Sequence, residues 1–385
     1  MEPKPFFSIV LPTKNRPELL REAIQSVLWQ DSEDYELIVS DNWNDERTKR
    51  AIDEFVGDRR VRYVRPDREL NMPDHWEFAS TKATGEYVFI LTDRTVFRNG
   101  ALKKIEEAIR TYAPKGVEAY AWSHDIFDIK TRAVRPVGIA SRGVAISKTD
   151  HLLIEYAKTE RVSPRFPLLP NACYHRDLAG RIRKKHGRLF FPIAPDNTSD
   201  FLFLSYTDAV ASIGEPLMLS QNAENSNGAM TLQKGPEGYF RTLNMPTWYR
   251  HVPIKVPSVQ SLNFDDFLTM RAMVGVRPVD ADVDWVNYFL HCYEEIVYFG
   301  RNGYIRNRKK EFMDAWNAAL ADFDEKVQNE VKAKMFRIKI LFSVKAHLAS
   351  SFLTPWLRNV QSSIQYRSAR RKYEDVLTAA GFTSS

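Results

Sequence analysis

Cysteine is scarce in this sequence, with Cys173 and Cys292 the only two among 385 residues. Two thiols so far apart exclude a disulfide framework or a zinc cluster and point to a reducing compartment. Long apolar runs are missing too. The N-terminal MEPKPFFSIVLPTKNRP holds only about six apolar residues before Pro12, too few for the hydrophobic region of a secretory signal. No stretch reaches the roughly 18 apolar residues of a membrane span. The expectation is a cytoplasmic protein. Glycine is absent before Gly57, and low complexity and internal repeats are absent throughout. What remains, 44% hydrophobic and 27% charged residues, is the balance of a globular chain rather than a disordered one.

Acidic residues disappear over one segment. From Val331 to Tyr373 there are ten Lys or Arg and no Asp or Glu, against a whole-chain net of +6, which leaves the rest of the chain at −4. The basic character therefore belongs to a tail, which argues against a nucleic-acid enzyme with a basic active face. Within the tail, Phe336, Ile340 or Leu341, Val344 and Leu348 share one helical face flanked by Arg337, Lys339 and Lys345. Such a helix suits an anionic membrane surface, and it equally suits packing on the catalytic domain or on another subunit.

The first 130 residues alternate. Phe7 to Leu11, Glu36 to Ser40, Arg60 to Val64 and Tyr87 to Leu91 read as strands. Pro17 to Trp29, Asp45 to Phe55 (capped by Asn44 or Asp45) and Pro73 to Ala83 read as the helices between them. This order predicts a parallel sheet covered on both faces, with ligands at the carboxyl ends of its strands. Those ends are Pro12-Thr13, Asp41-Asn42, Arg65 and Thr92-Asp93. A helix over 99–112 and a strand over 117–127 follow, and Arg132 to Lys148 reads as a hairpin or loop. Pro195 to Asp200 opens another helix, with Asp196 near its cap. Beyond about residue 230 the pattern is helical, most clearly at Trp285 to Tyr298 and Lys309 to Phe323.

A dinucleotide-binding domain needs glycines in its first strand-to-helix turn so that backbone can approach a pyrophosphate. The turn here is Pro12-Thr13-Lys14-Asn15-Arg16-Pro17, which excludes that class. The same lack tells against a sugar nucleotidyltransferase. The blocks FSIVLPTKNRPELLREAIQSVLWQ, YELIVSDNWNDERT and ATGEYVFILTD, in this order and spacing, resemble inverting family 2 glycosyltransferases of the GT-A fold. The resemblance is tight over residues 6 to 110. It continues loosely to about 230 through PNACYHRDL, APDNTSDF and QNAENSNGAM. It implies an α/β GT-A domain, Rossmann-like with a mostly parallel sheet and flanking helices, over 1–230. A helical C-terminal domain ending in the basic amphipathic tail would occupy 231–385.

The resemblance also implies roles. Pro12, Thr13, Asn15, Arg16, Asp41 and Asn42 would hold the base, ribose and phosphate of a UDP- or GDP-type sugar, although Asp41 could merely cap its turn. Arg65, Arg68 and His75 fall where the family places phosphate-binding or lid residues. Trp76 reads as core. Asp93 heads the metal-binding motif of the family, but Arg94 and Thr95 follow it, and an arginine offers a cation no ligand. Two alternatives stand. Either Arg94 replaces the metal by stabilising the departing diphosphate, or Asp93 alone holds Mn²⁺ or Mg²⁺ while Arg94 faces solvent. The general base would be Asp196, with Asp200 one helical turn on in reserve. The implied activity is transfer of one sugar, with inversion, to a glycan or lipid-linked acceptor in surface polysaccharide or glycolipid synthesis. The enzyme would be cytoplasmic or peripheral at the inner membrane face, with no nucleic-acid partner. A nucleotide-sugar binding protein that has lost catalysis is the rival reading.

Overall fold

The computed structural model describes residues 4–42, 46–137, 143–158, 166, 169–221, 240–241, 243, 249–256, 258–275, 282–301, 305, 308–343 and 373–382. The expected cap at Asn44 or Asp45 lies outside them, as does the QNAENSNGAM stretch after Gln221. The chain forms two compact units. The first takes residues 1–151, 164–223 and 368–385, and the second takes 152–163 and 224–367. The final segment thus returns to the first unit instead of ending a contiguous domain that starts near 231.

The first unit is built on a ten-stranded sheet. β1 (Phe7–Thr13) and β2 (Tyr35–Asp41) are buried at every position, so they lack the apolar–polar alternation of a one-sided strand. β1 lies between β2 and β4 (Tyr87–Ile90), parallel to both, and β3 (Val61–Val64) extends the parallel set beside β2. The helices α1 (Pro17–Leu28), α2 (Glu46–Asp53) and α3 (Met72–Ser80) make the connections. Proline occupies the first turn of α1, and Asn71 caps α3 by accepting from Asp74 N at 2.9 Å. Ile9, Leu11, Leu37, Val39 and Phe89 have essentially no exposed surface, each contributing about 1.5–3 kcal/mol by burial.

Beyond β4 the sheet turns mixed, its parallel part lying at β3, β2, β1 and β4. After β5 (Thr95–Phe97) and α4 (Ala101–Tyr112) comes β6 (Ala119–Asp128). The four-residue strand β9 (Ala172–His175) slots antiparallel between β4 and β6. Ala-Cys-Tyr-His is too short to show a period, so its place was not readable. The segment 132–148, read as a hairpin or loop, holds two strands that do not pair with each other. β7 (Ala133–Pro136) pairs with β6, whereas β8 (Val144–Lys148) pairs with β10 (Ala209–Gln221). β10 runs parallel to β6 and antiparallel to β5. α5 (Thr149–Ala157) carries the chain out of this unit after His151; α6 (Arg176–His186) and α7 (Pro195–Tyr206) belong to it again.

The ATGEY segment is structural. A Cβ on Gly85 would stand 2.7 Å from the backbone of Phe7 and Ser8, so only glycine lets this segment lie against β1. Buried Glu36 accepts from Ser8 Oγ at 2.6 Å and from Thr84 N and Oγ1 at 2.7 Å each, and it pairs with Arg62. This network closes the amino ends of the strands. The last described residues close one edge. A short helix, Val376–Ala379, and Phe382 pack with Val96, Phe127 and Leu219, and Asn99 N donates to Ala380 O at 3.0 Å.

The second unit contains the helices Val259–Val274, Trp285–Arg301, Lys309–Ala321 and Glu325–Ser343. Phe264, Phe267, Tyr288, Phe289 and Trp316 are buried in it. Glu295 caps the first of these helices, accepting from Val259 N at 2.9 Å and Gln260 N at 3.1 Å. Among the described residues no helix is long and apolar enough to cross a membrane. Of the basic tail, Phe336 is 67% exposed; residues 344–372 lie outside the description.

Candidate active site

Strand register brings the expected residues to one edge. Thr13 lies opposite Asp41, and Val10 opposite Ile90, so the residues following β4 arrive beside Thr13. Thr13 Oγ1 donates to Asp93 Oδ2 at 2.9 Å, and Arg16 Nη1 to Asp93 Oδ1 at 3.1 Å. Ala119 of β6 pairs with Tyr174 and Tyr174 with Val88. Counting equally along both strands therefore sets His124 level with Asp93.

Burial dominates this corner. Asp93 is 4% exposed, and burial raises its pKa against the opposing pull of Arg16 and Arg94. The backbone oxygen of Arg94 accepts from Gln221 N at 2.8 Å, fixing the turn to β10. Burial lowers the pKa of Arg94, Asp93 and Asp196 raise it, and Arg16 lowers it. A guanidinium starts so high that it stays charged. Asp196 sits in the first turn of α7, whose N-cap is Ala194, so it is not the capping residue. Its pKa is raised by burial, while the Asn197 and Asp196 backbone N–H groups and Arg94 pull it down. Arg94 and Asp196 nevertheless keep part of their surface open. Arg94 is thus flanked electrostatically by the aspartate expected at the donor and the aspartate expected at the acceptor.

Asp200 is placed otherwise. It has no exposed surface, and Leu169 N faces both its oxygens at 3.3 Å. Burial, reinforced by Asp196, pushes its pKa well above the carboxylate range. That position suits holding the chain at Leu169 and not meeting an acceptor, which corrects the reserve-base expectation.

At the other end of the edge, Asp41 is 1% exposed and accepts from Arg65 Nη2 at 2.5 Å and Tyr63 OH at 3.1 Å. Two residues expected to act separately, Asp41 and Arg65, form one ion pair, and Arg65 also reaches Glu46 at 3.3 Å. Tyr63 is pushed up to about 12 by burial and by Asp41. Asn42 corrects the reading of it as a base contact. Its Nδ2 donates to Leu70 O at 2.8 Å and its Oδ1 accepts from Leu70 N at 2.9 Å, so both amide atoms pin the 66–71 loop. Pro12 is buried within β1, Asn15 is exposed, and Arg68 is exposed. Asn15 holds φ of 58°, a conformation asparagine tolerates better than most residues. Buried His75 bonds Ser40 Oγ through Nε2 at 2.9 Å, and burial brings its pKa down to about 4. Trp76 packs edge-on against Phe190 at 5.6 Å, in the core as read.

The donor set around Asp93 does not fit a divalent cation. One carboxylate oxygen faces cationic Arg16, the other Thr13, and the next side chain is Arg94. Among the described residues no group of three or more His, Cys, Asp or Glu could hold a metal. Sequence reasoning missed Tyr63, His124 and Asn171. His124 lies inside β6, four residues before its end, so the strand-end rule does not mark it.

Residues 8–126 match the family model described as Glycosyl transferase family 2. The matched residues lie within the first unit and are similar to that family. Protein CgeD of Bacillus subtilis (strain 168) is 28% identical over 121 residues, 30% of this chain and 28% of its own. The GalNAc(5)-diNAcBac-PP-undecaprenol beta-1,3-glucosyltransferase of Campylobacter jejuni is 33% identical over 119 residues, 30% of this chain and 36% of its own. The chain thus spans about a third of the length of these curated relatives. The crystal structure of S. aureus TarS 1-349 in complex with UDP-GlcNAc superposes with a TM-score of 0.52 and 14% identity, covering 96% of this chain and 94% of that one. At that identity the likeness concerns the fold, which is GT-A-like and extends beyond the matched 119 residues.

Proposed function

We propose that this chain transfers one sugar, with inversion, from a nucleotide-diphosphate sugar to a glycan or lipid-linked acceptor. The observation that carries the reading is Arg94, held within electrostatic reach of both Asp93 and Asp196. Pro12, Thr13, Asn15, Arg16 and the Asp41–Arg65 pair form the nucleotide wall, and Asn42 holds the loop beside it. Asp196 takes the proton of the acceptor hydroxyl as its oxygen bonds to the anomeric carbon. The bond from that carbon to the diphosphate breaks, and its electron pair leaves with the phosphate oxygen. Attack from the face opposite the leaving group inverts the centre. Arg94 compensates the growing charge, a permanent cation where the family motif would hold a metal. Asp93 fixes Arg16 and the turn that presents Arg94.

A UDP sugar, of the kind bound in the TarS structure, is the first donor to assay, with GDP sugars beside it. The name of the C. jejuni relative supports a lipid-linked acceptor and surface glycan synthesis. The deciding experiment is transfer by the unaltered chain with and without EDTA. Activity should survive chelation, and Arg94→Ala should slow transfer about a hundredfold. Loss in chelator, restored by Mn²⁺ or Mg²⁺, would assign the charge to a metal at Asp93. Donor binding without hydrolysis or transfer to any acceptor would favour the lapsed-enzyme reading.

The ten cations of 331–373 support peripheral docking on the anionic inner membrane face. Co-sedimentation of the full chain with phosphatidylserine liposomes should fall as salt shortens the Debye length towards about 3 Å at 1 M. Co-sedimentation that ignores salt, or none at all, would reject docking.

A further inference from the structure

His124 is used by none of the roles above, yet the β6–β9–β4 register, carried on past its last pairs, sets this mid-strand residue of β6 level with Asp93. Its ring is held from one side. Asn171 Nδ2 lies 2.5 Å from His124 Nδ1; the amide N–H donates, so Nδ1 accepts and the ring proton sits on Nε2. The cations facing it are Arg94, from the turn after β4, and Arg135 of β7. Burial first, then these two arginines, bring its pKa down to about 4, so the ring is neutral across the working range. Part of its surface remains open. A neutral imidazole beside a guanidinium is a poor base for an acceptor hydroxyl, since the adjacent positive charge opposes its protonation. It is a good hydrogen-bond donor to an anion that Arg94 already attracts.

Taking the site as a nucleotide-sugar site, we infer that His124 donates its Nε2–H to the β-phosphate of the donor, as a second, uncharged donor beside Arg94. Asn171 is the positioning residue that fixes the tautomer and the ring plane. The arrangement divides the task by charge. Arg94 supplies the cation, and His124 adds direction without adding repulsion against Arg16, Arg94 and Arg135. No covalent step or proton transfer passes through His124.

The test uses the full chain and calorimetric titration with UDP, GDP and the matching monophosphates. His124→Phe should weaken the diphosphate that binds by about tenfold or more, the usual loss for a hydrogen bond to a charged group. The monophosphate, lacking the β-phosphate, should bind as before. His124→Gln restores a neutral N–H and should recover most of the affinity. Asn171→Leu should show a smaller loss, again confined to the diphosphate. Equal losses for mono- and diphosphate, or none for either, would overturn the assignment and leave His124 a packing residue. If the unaltered chain binds no nucleoside diphosphate, the nucleotide-sugar reading fails and this inference with it. A pH–rate limb that disappears in His124→Gln would make it an acid or base instead.

Discussion

The two ends of the same parallel strands treat buried carboxylates in opposite ways. At the amino ends, burial is the largest single influence on Glu36, yet Ser8, Thr84 and Arg62 together hold its pKa below the ordinary value. At the carboxyl ends, burial prevails over the cations and raises both Asp93 and Asp196. Both ends are polar and both are largely buried, so composition does not separate them. What separates them is which influence wins: at Glu36 the hydrogen bonds outweigh burial, and at Asp93 and Asp196 burial outweighs the partners they have. Glu36 is closed within the fold, whereas Asp196 keeps open surface and a pKa displaced towards that of a base despite its backbone donors and Arg94. A carboxylate left costly by the fold is one that a ligand or a proton can relieve.

The largest effect expected from breaking this contrast is at Asp196. Asp196→Asn should leave donor affinity nearly intact and lower turnover by about 10²–10⁴-fold, as when a general base is removed. Since the pKa of Asp196 is raised, transfer by the unaltered enzyme should fall as pH drops through a limb lying above the ordinary carboxylate value, and that limb should vanish in the mutant. Asp41→Ala should do the reverse, weakening nucleotide binding before turnover. Equal turnover in Asp196→Asn, or unchanged affinity in Asp41→Ala, would exchange or remove these roles.

Smaller effects sharpen the comparison through stability. Glu36→Gln should cost about 1–3 kcal/mol in denaturant unfolding, because Arg62 and the Ser8–Thr84 donors lose a charged acceptor. With a lowered folded pKa, the contribution of Glu36 is present above its unfolded pKa and lost as pH falls through the folded value. Asp200 has the opposite sign. Its raised folded pKa favours the folded state at low pH, and that advantage is lost as pH rises through the folded value. Asp200→Asn keeps an acceptor for Leu169 N–H without the buried charge, so it should match or exceed the parent stability at neutral pH and flatten this dependence. A loss in Asp200→Asn as large as in Glu36→Gln would mean that both carboxylates are structural in the same sense.

The alternating strands and helices of 7–90 were legible because each strand is a run of apolar residues ended by a polar turn, and each connection is local. The carboxyl-edge rule then located Thr13, Asp41, Asp93 and their neighbours without coordinates. It failed where contacts are distant in sequence. Asn42 looked like a base contact, but its amide is spent on Leu70, which only the path of the loop reveals. Arg65 and Asp41, 24 residues apart, form one pair. His124 and Asn171, 47 residues apart, meet through a strand too short to be read. Asp200 was matched to Asp196 by helical spacing alone, and spacing does not report that one lies beneath the other.

The return of 373–382 to the first unit bears on how the protein is made. Asn99 bonds to a carbonyl 281 residues later, at Ala380, so the apolar edge formed by Val96, Phe127 and Leu219 is covered only after that distant segment has emerged from the ribosome. During vectorial synthesis at about 5–20 residues per second, that edge waits uncovered for tens of seconds. A nascent or shortened chain would present it to chaperones and to other chains. The strand that follows Arg94 thus gains its cover from a segment made long after it.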